Sequence, residues 1–393
     1  MIVSRLILKN WRNFQDVDVE LGDRVFVVGP NASGKSNLLE VFRFLRDIAK
    51  RGGSLQQAVE DHGGVSKIRC LAARQHPDIE IDISLGDPGN PTPVWRYSLK
   101  IKQEVRGFRQ PFLAHEEAWH NGTSLFRRPD DNDHHDKLRL TETRLENVNA
   151  NKDFRQIADF FDASTYLHLV PQILRFPQAF AGKDLPGDPF GRHFLERVAR
   201  TPAKTRHARL RKIEAALRIA VPQLKGLTDF KDETGVPHLE AVYEHWRPRG
   251  ARQREDQFSD GTLRLLGLLW ALIETDGLLL LEEPELSLNS SIITRLPALI
   301  HRVRSRAKKS GQVIITTHSA DLLANEGIGA EEILLLTPTG QEGTRVEKAS
   351  SIQEVKDLLS GGLSIAEAVL PRTAPQNIHQ LELQFAHENS DPD

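Results

Sequence analysis

The stretch Gly29-Pro30-Asn31-Ala32-Ser33-Gly34-Lys35-Ser36 sets a glycine, four residues and then Gly-Lys-Ser in the spacing of a phosphate-binding loop. Glycines at both ends of such a loop let the backbone bend so that successive N–H groups converge on phosphate oxygens. Lys35 brings a cation able to reach β- and γ-phosphates, and the Ser36 hydroxyl is a hard oxygen donor suited to Mg²⁺. The flanks agree with this chemistry. Arg24 to Val28 (RVFVV) reads as a short buried strand, and Asn37 to Arg46 (NLLEVFRFLR) as an amphipathic helix whose positive end faces the loop. A nucleoside triphosphate is the expected ligand.

Three later stretches have residues that would complete such a site. Gly277 to Glu285 (GLLLLEEPE) ends four leucines in two carboxylates, the pattern of a parallel strand buried on both faces whose carboxyl end meets the phosphates. Gln312 to Thr317 (QVIITT) reads as a second such strand, and His318 and Ser319 follow it where a further catalytic group is expected. Phe258-Ser259-Asp260-Gly261-Thr262 precedes an apolar helix, Leu263 to Ile273. Ser259 and Gly261 at its start offer a hydroxyl and free N–H groups to an anion.

The elements that must position these residues follow from periodicity. Ile2 to Lys9 and Val17 to Leu21 read as paired strands around Asn10-Trp11-Arg12-Asn13-Phe14. Gly52-Gly53 and Gly63-Gly64 mark turns after the loop helix. Ile79 to Leu85, Val94 to Lys102, Leu113 to Trp119 and Thr123 to Arg127, with a hairpin turn at Asn121-Gly122, predict an antiparallel β layer beside the nucleotide. Asp130 to Asp136 (DDNDHHD) is polar and read as an exposed loop; His134 and His135 lack the helix or finger spacing of metal ligands. Leu138 to Phe161 reads mainly as helix, Tyr166 to Val170 as a strand, and Pro171 to Gly191 as a loop or boundary. A helix is expected from Pro202 to about Ala220, with strands at Leu224 to Phe230 and Leu239 to Trp246.

Composition bounds the rest. The 393 residues are 27% charged and 39% hydrophobic, which describes an ordinary folded chain of one large core or several domains. The net charge of −2 leaves a polyanionic partner to be decided by local patches. One such patch gathers Arg192, Arg197, Arg200, Lys204, Arg206, Arg209, Arg211, Lys212 and Arg218, with Arg247, Arg249, Arg252 and Arg254 beyond it. Nucleic-acid contact and a merely solvated helix face both fit this run. A single cysteine, Cys70, suits a reducing compartment, and the charged amino terminus does not read as a signal peptide. With no apolar run of membrane-spanning length, a cytoplasmic protein without membrane contact is expected.

Taken in order, GPNASGKS, SDGT with its leucine-rich helix, LLLLEEPELSLN and TTHS resemble an ABC-class ATPase, most of all the RecF/SMC/OLD group. The NWRNF segment resembles that group's opening strand motif. The likeness is strong over residues 1–50 and 255–340. It implies an α/β P-loop NTPase of ABC type, with a mixed, largely parallel core sheet, an antiparallel β layer and an inserted helical lobe. It further implies ATP and Mg²⁺ as ligands, held by Gly29 to Asn37, with Ser36 and Glu282 on the metal. Glu283 takes the place of the base that orients water, His318 that of the γ-phosphate switch, and Arg12 and Asn13 lie near the nucleotide. Ser259 and Gly261 resemble the signature that caps the site of a second subunit, and Leu286 to Asn289 the segment crossing that dimer interface.

Two features depart from the group. Glu282 stands where Asp is usual, one methylene longer, and Mg²⁺ is demanding in its geometry. The glutamine of the switch loop is not singled out, since Gln56, Gln57 and Gln75 all qualify. More than two hundred residues separate Ser36 from Ser259, unlike transporter subunits, and they lack coiled-coil heptads. After Ser350 one helix (Ile352 to Leu359) and a polar tail are expected, without an appended nuclease domain. The expected division is 1–130 and 256–350 as the two halves of the ATPase domain, 131–255 as the inserted basic lobe and 351–393 as the carboxyl-terminal helix and tail. The expected activity is ATP hydrolysis by an ATP-dependent homodimer acting on DNA, in repair or anti-phage defence. The alternative is a nucleotide-gated scaffold holding an effector or nuclease encoded in the same operon.

Overall fold

Alternation in the first ten residues buries Val3, Leu6 and Leu8 and leaves Arg5 and Lys9 outside, which is what a strand with one covered face requires. The computed structural model describes residues 1–72, 78–90, 92–104, 109–180, 185–244, 251–305 and 311–374. Its strands in chain order are β1 (Ile2–Trp11), β2 (Phe14–Glu20), β3 (Arg24–Val28), β4 (Ile79–Gly86), β5 (Trp95–Gln103), β6 (Pro111–His120) and β7 (Thr123–Arg128). They continue with β8 (Thr165–Leu167), β9 (Leu224–Lys231), β10 (Pro237–Tyr243), β11 (Ala251–Arg254), β12 (Leu279–Glu282), β13 (Val313–Thr317), β14 (Ile333–Pro338) and β15 (Thr344–Lys348).

These strands build three sheets among the described residues. An antiparallel layer runs β2-β1-β4-β5-β6-β7, closed at one edge by the hairpin at Asn121-Gly122, both with positive φ. The core sheet runs β15-β14-β3-β13-β12-β8 and is parallel except for the β14–β15 pair. A small antiparallel sheet, β11-β10-β9, stands apart.

The parallel strands β3, β12, β13 and β14 are buried on both faces, so they are largely apolar runs rather than alternating. Val25, Val27, Leu280 and Ile314 face a core shared with the antiparallel layer and with helix α1 (Lys35–Ala49). Phe26, Val28, Leu279, Leu281, Val313 and Ile315 face a second core against the helix Asp260–Glu274, which is buried along nearly its whole length.

Gln312 joins the two sheets. Its fully buried amide donates from Nε2 to the carbonyls of Val3 and Gly22, both at 2.8 Å, and accepts from Val3 N–H at 2.9 Å. One side chain at the start of β13 thus saturates backbone groups on β1 and beside β3 that have no strand to pair with there.

Several expectations are corrected. Leu138 to Phe161 is not one helix: a 3₁₀ turn at Lys137–Thr141 and another at Lys152–Phe154 precede an α-helix of Arg155–Asp162. The cause is Glu116, a buried carboxylate on β6 that takes the N–H groups of Arg144 and Leu145, while Asn147 takes those of Asn149 and Ala150. Asp130 to Asp136 is a capped helical turn, not an open loop. Asp133 is buried there and holds Arg128 through two 2.9 Å bonds, which keep its carboxyl well below the usual range despite burial. Of the stretch Tyr166 to Val170 only Tyr166 and Leu167 are paired, as part of β8 beside β12 in the core sheet. Past Ser350 a second helix, Ile365–Val369, follows Gln353–Ser360, and both pack into the second core. Trp246, Arg247, Arg249, Gln75 and the polar tail lie outside the described residues.

Replacing Gln312 with Met keeps the volume but strands the two buried backbone groups of Val3 and unpairs the Gly22 carbonyl, so Gln312→Met is expected to lower unfolding free energy by about 3 kcal/mol. Denaturant melts measure this, and a loss below about 0.5 kcal/mol would show that the amide is not what ties the sheets together.

Candidate nucleotide-binding site

β3 lies between β13 and β14, and its carboxyl end runs straight into the glycine loop. Ala32 and Gly34 adopt positive φ, and α1 begins at Lys35. Gly34 admits no side chain, because a Cβ there would fall 2.2 Å from the Asn13 carboxamide. That carboxamide clamps the loop from outside. Its Nδ2 donates to Ser33 O and Thr344 Oγ1, both at 2.8 Å, and its Oδ1 accepts from Asn37 Nδ2 at 2.8 Å. Trp11, fully buried, donates from Nε1 to Asn37 O at 2.8 Å and so fixes the first turn of α1.

Inside the loop, Lys35 is buried with its ammonium on Gly29 O (2.9 Å) and Pro30 O (3.1 Å). Burial pulls its pKa down, opposed by Glu283, Glu282 and Glu285. Ser33 Oγ is buried without a hydrogen-bond partner. Glu282, at the end of β12, receives the Ser36 hydroxyl on Oε1. Glu283 sits at φ +43°, its N–H held by Thr316 O at 3.1 Å, and its Oε1 lies 3.0 Å from His318 Nδ1. Glu285 is buried; desolvation raises its pKa, and a hydrogen bond from Thr317 Oγ1 opposes that rise.

Lys35, Ser36, Glu282, Glu283, His318 and Asn13 therefore gather at the carboxyl ends of β3, β12 and β13, where parallel α/β sheets bind ligands. The donor set fits the ligands the sequence implies. A hydroxyl and a carboxylate in contact are hard oxygen donors of the kind Mg²⁺ takes. A lysine resting on loop carbonyls and an orphaned serine hydroxyl are groups that phosphate oxygens would satisfy.

Other expected residues are placed elsewhere. Arg12 points to the far side of its turn, donating to Lys67 O (3.3 Å) and His62 O (3.2 Å) and pairing with Glu40 at 3.5 Å. Ser259 is an exposed N-cap of the helix Asp260–Glu274, accepting from Thr262 N at 3.2 Å. Gly261 lies against the turn after β12, where a Cβ would meet Ser287 O at 2.7 Å. Neither has a hydrogen bond to its own phosphate loop among the described residues. Gln56 is bonded to Pro111 O and Thr141 O, and Gln57 to Asp61, so both are tied to other elements.

Sequence reasoning missed Tyr166, which donates its hydroxyl to Glu282 Oε2. It also missed His62. This buried ring lies between two carboxylates of α1, Nδ1 2.8 Å from Glu40 and Nε2 3.0 Å from Asp47. An aromatic residue in a short strand gave no local signal of the first, and a histidine near Gly63-Gly64 none of the second.

The basic run resolves into two sets. Arg206 binds Asp229 at 2.8 Å, and Arg209 binds Glu274 at 3.4 Å and covers Trp270, so both belong to the local packing. Lys204, His207, Arg211 and Arg218 are exposed and recur at helical spacing along one side of the helix Ala203–Ala220. No described helix is long and apolar enough to cross a membrane.

The sequence profile of the family described as “AAA domain, putative AbiEii toxin, Type IV TA system” matches residues 24–325. The chain is 33% identical over 116 residues to the DNA replication and repair protein RecF of Synechocystis sp., covering 29% of each protein. It is 50% identical over 46 residues to RecF of Actinobacillus pleuropneumoniae serotype 5b, 12% of this chain and 13% of that one. The matched stretches thus span less than a third of these relatives' own length. A crystal structure of an Smc head bound to the C-winged helix domain of ScpA superimposes with a TM-score of 0.54 at 14% identity. It covers 88% of this chain and 98% of that one. An Smc head with an extended coiled coil, bound to the C-terminal domain of ScpA and derived from Pyrococcus furiosus, gives 0.50 at 12% identity over 91% and 99%. The fold is that of an ABC-type P-loop NTPase.

The His62 cluster links α1 to the Arg12 turn and gives a pH test. Burial alone would lower the imidazole pKa, but hydrogen bonds to Asp47 and Glu40 outweigh it and raise the value above 6.5. Its stabilisation is therefore full below 6.5 and is lost as pH rises through the raised folded-state value. The melting-temperature gap between wild type and His62→Gln should be widest on the mildly acidic side and close toward alkaline pH. A gap that stays constant across that range would remove the charge argument.

Proposed function

The chain belongs to the family described as “AAA domain, putative AbiEii toxin, Type IV TA system” and to the RecF/SMC group of ABC-class ATPases; from this we propose that it hydrolyses ATP and acts on DNA through an ATP-dependent homodimer. The observation that carries the reading is the convergence of Lys35 and Ser36 with Glu282, Glu283 and His318 at adjacent ends of parallel strands. Repair or anti-phage defence in the cytoplasm is the setting that suits it.

In this reading the N–H groups of Gly29 to Asn37 bind the triphosphate, and Lys35 moves from its own loop carbonyls to the β- and γ-phosphate oxygens. Ser36 and Glu282 hold Mg²⁺, which when bound neutralises charge on the phosphates. Glu283, with His318 fixing its Oε1, orients a water for in-line attack on the γ-phosphorus and accepts its proton. The bond from the γ-phosphorus to the bridging oxygen breaks, and ADP and inorganic phosphate leave.

Dimerisation supplies what one chain lacks. Ser259 is exposed and Gly261 half-buried at a helix start, both unattached to their own phosphate loop, so they suit the phosphates of a second copy. The exposed stripe Lys204, His207, Arg211 and Arg218 is the surface that suits a phosphate backbone.

Glu283→Gln should keep ATP binding, reduce turnover by at least about a hundredfold and accumulate a dimer in size-exclusion chromatography with ATP. Unchanged turnover would remove Glu283 as the base. Lys35→Ala and Ser259→Arg proteins, each inactive, should regain part of the activity when mixed, and a mixture that forms heterodimers yet stays inactive would refute the shared site. For DNA, Lys204→Glu with Arg211→Glu should weaken binding and flatten the log-log salt dependence by about two. Absent or salt-insensitive DNA binding beside intact ATPase activity would favour the nucleotide-gated scaffold.

A further inference from the structure

We propose that Tyr166 is the positioning residue of Glu282, and that it compensates for a metal-side acid one methylene longer than aspartate. The inference rests on the reading of this site as one for Mg²⁺ and nucleotide. Glutamate adds a rotatable bond, so an unrestrained Glu282 would present its carboxylate over a range of positions. Here both oxygens are engaged: Oε1 receives the Ser36 hydroxyl and Oε2 the Tyr166 hydroxyl.

The sheet register places the phenol where it can do this. In the β8–β12 pair, Tyr166 lies beside Leu280, so it shares a face with Glu282 two residues further along. Its long ring spans that step. The ring is 8% exposed and is covered by the Arg43 guanidinium at 4.4 Å from its centroid. Arg43 is itself held by Glu40, with Nη1 to Oε2 at 2.6 Å. Ser36, Glu40 and Arg43 recur at four- and three-residue steps, so one side of α1 both presents the metal-side hydroxyl and fixes the tyrosine ring.

An aspartate at 282 would hold its carboxylate closer to the backbone and out of reach of Tyr166, with less freedom to restrain. The tyrosine should therefore matter to a glutamate and not to an aspartate. The test uses the full chain, Mn²⁺ as the probe metal and a non-hydrolysable ATP analogue, with bound Mn²⁺ read by electron paramagnetic resonance. Tyr166→Phe should weaken nucleotide-dependent Mn²⁺ binding by about tenfold or more, as loss of a ligand's supporting hydrogen bond does elsewhere. In a Glu282→Asp background the same change should have no effect. Arg43→Lys, which loses the planar contact with the ring, should weaken binding by about twofold to fivefold.

An unchanged Mn²⁺ affinity in Tyr166→Phe would overturn the proposal, and so would an equal loss in the Glu282→Asp background. If Tyr166→Phe fails to fold, Arg43→Lys decides, and unaltered Mn²⁺ affinity there overturns it. A wild-type chain that takes up no Mn²⁺ with nucleotide would instead defeat the reading of the site itself.

Discussion

Everything at the site depends on the register in which β12, β13 and β3 pair. Glu282 lies level with Thr316, Thr316 with Val27, and Thr317 with Val28, immediately before the glycine loop. Parallel pairing makes all three strands end together, so two carboxylates, a threonine pair and a histidine arrive at one edge with Lys35 and Ser36. Side chains alternate between faces, so a one-residue slip of β12 would turn Glu282 toward the core around the helix Asp260–Glu274. The register is protected because both faces are apolar and covered. Leu280 and Leu281 belong to different cores, and neither can exchange places without loss of packing.

The antiparallel layer does more than shield one face of this sheet. Asn13, in the turn between β1 and β2, meets the loop at Gly34 and is itself held by Thr344 on β15 and Asn37 on α1. Arg12 beside it is committed to the carbonyls of His62 and Lys67, and His62 to two acids of α1. Gln312 makes the corresponding join at the other end of the sheet. Loop, helix and layer are therefore connected by hydrogen bonds as well as by packing. Movement of the phosphate loop cannot be independent of the β1–β2 turn.

Charge is divided in the same way between internal and external tasks. Arg128, Asp133 and Glu116 form a buried network that ends β7 and shapes the segment after it. Arg206 and Arg209 look equally available in sequence but are engaged with Asp229 and Glu274. Among the described residues, Lys204, His207, Arg211 and Arg218 form an exposed stripe on one side of the helix Ala203–Ala220, so fewer arginines face outward than the sequence count implies.

Local chemistry was legible in the sequence. The glycine loop, LLLLEE and TTHS announce themselves because their residues act through short spacing and fixed strand or helix ends. The Asn-Gly turn and the helix after Pro202 were equally plain, for the same reason. Residues 138–161 misled because Glu116, more than twenty positions earlier, takes the backbone donors a helix would have used. Tyr166 was silent because its role depends on β8 joining β12 across 116 residues, a pairing no local pattern encodes. The chain alone determined which groups could handle a phosphate. Tertiary structure decided which of them meet, since contact between distant residues is set by register and packing, and neither is a property of any single segment.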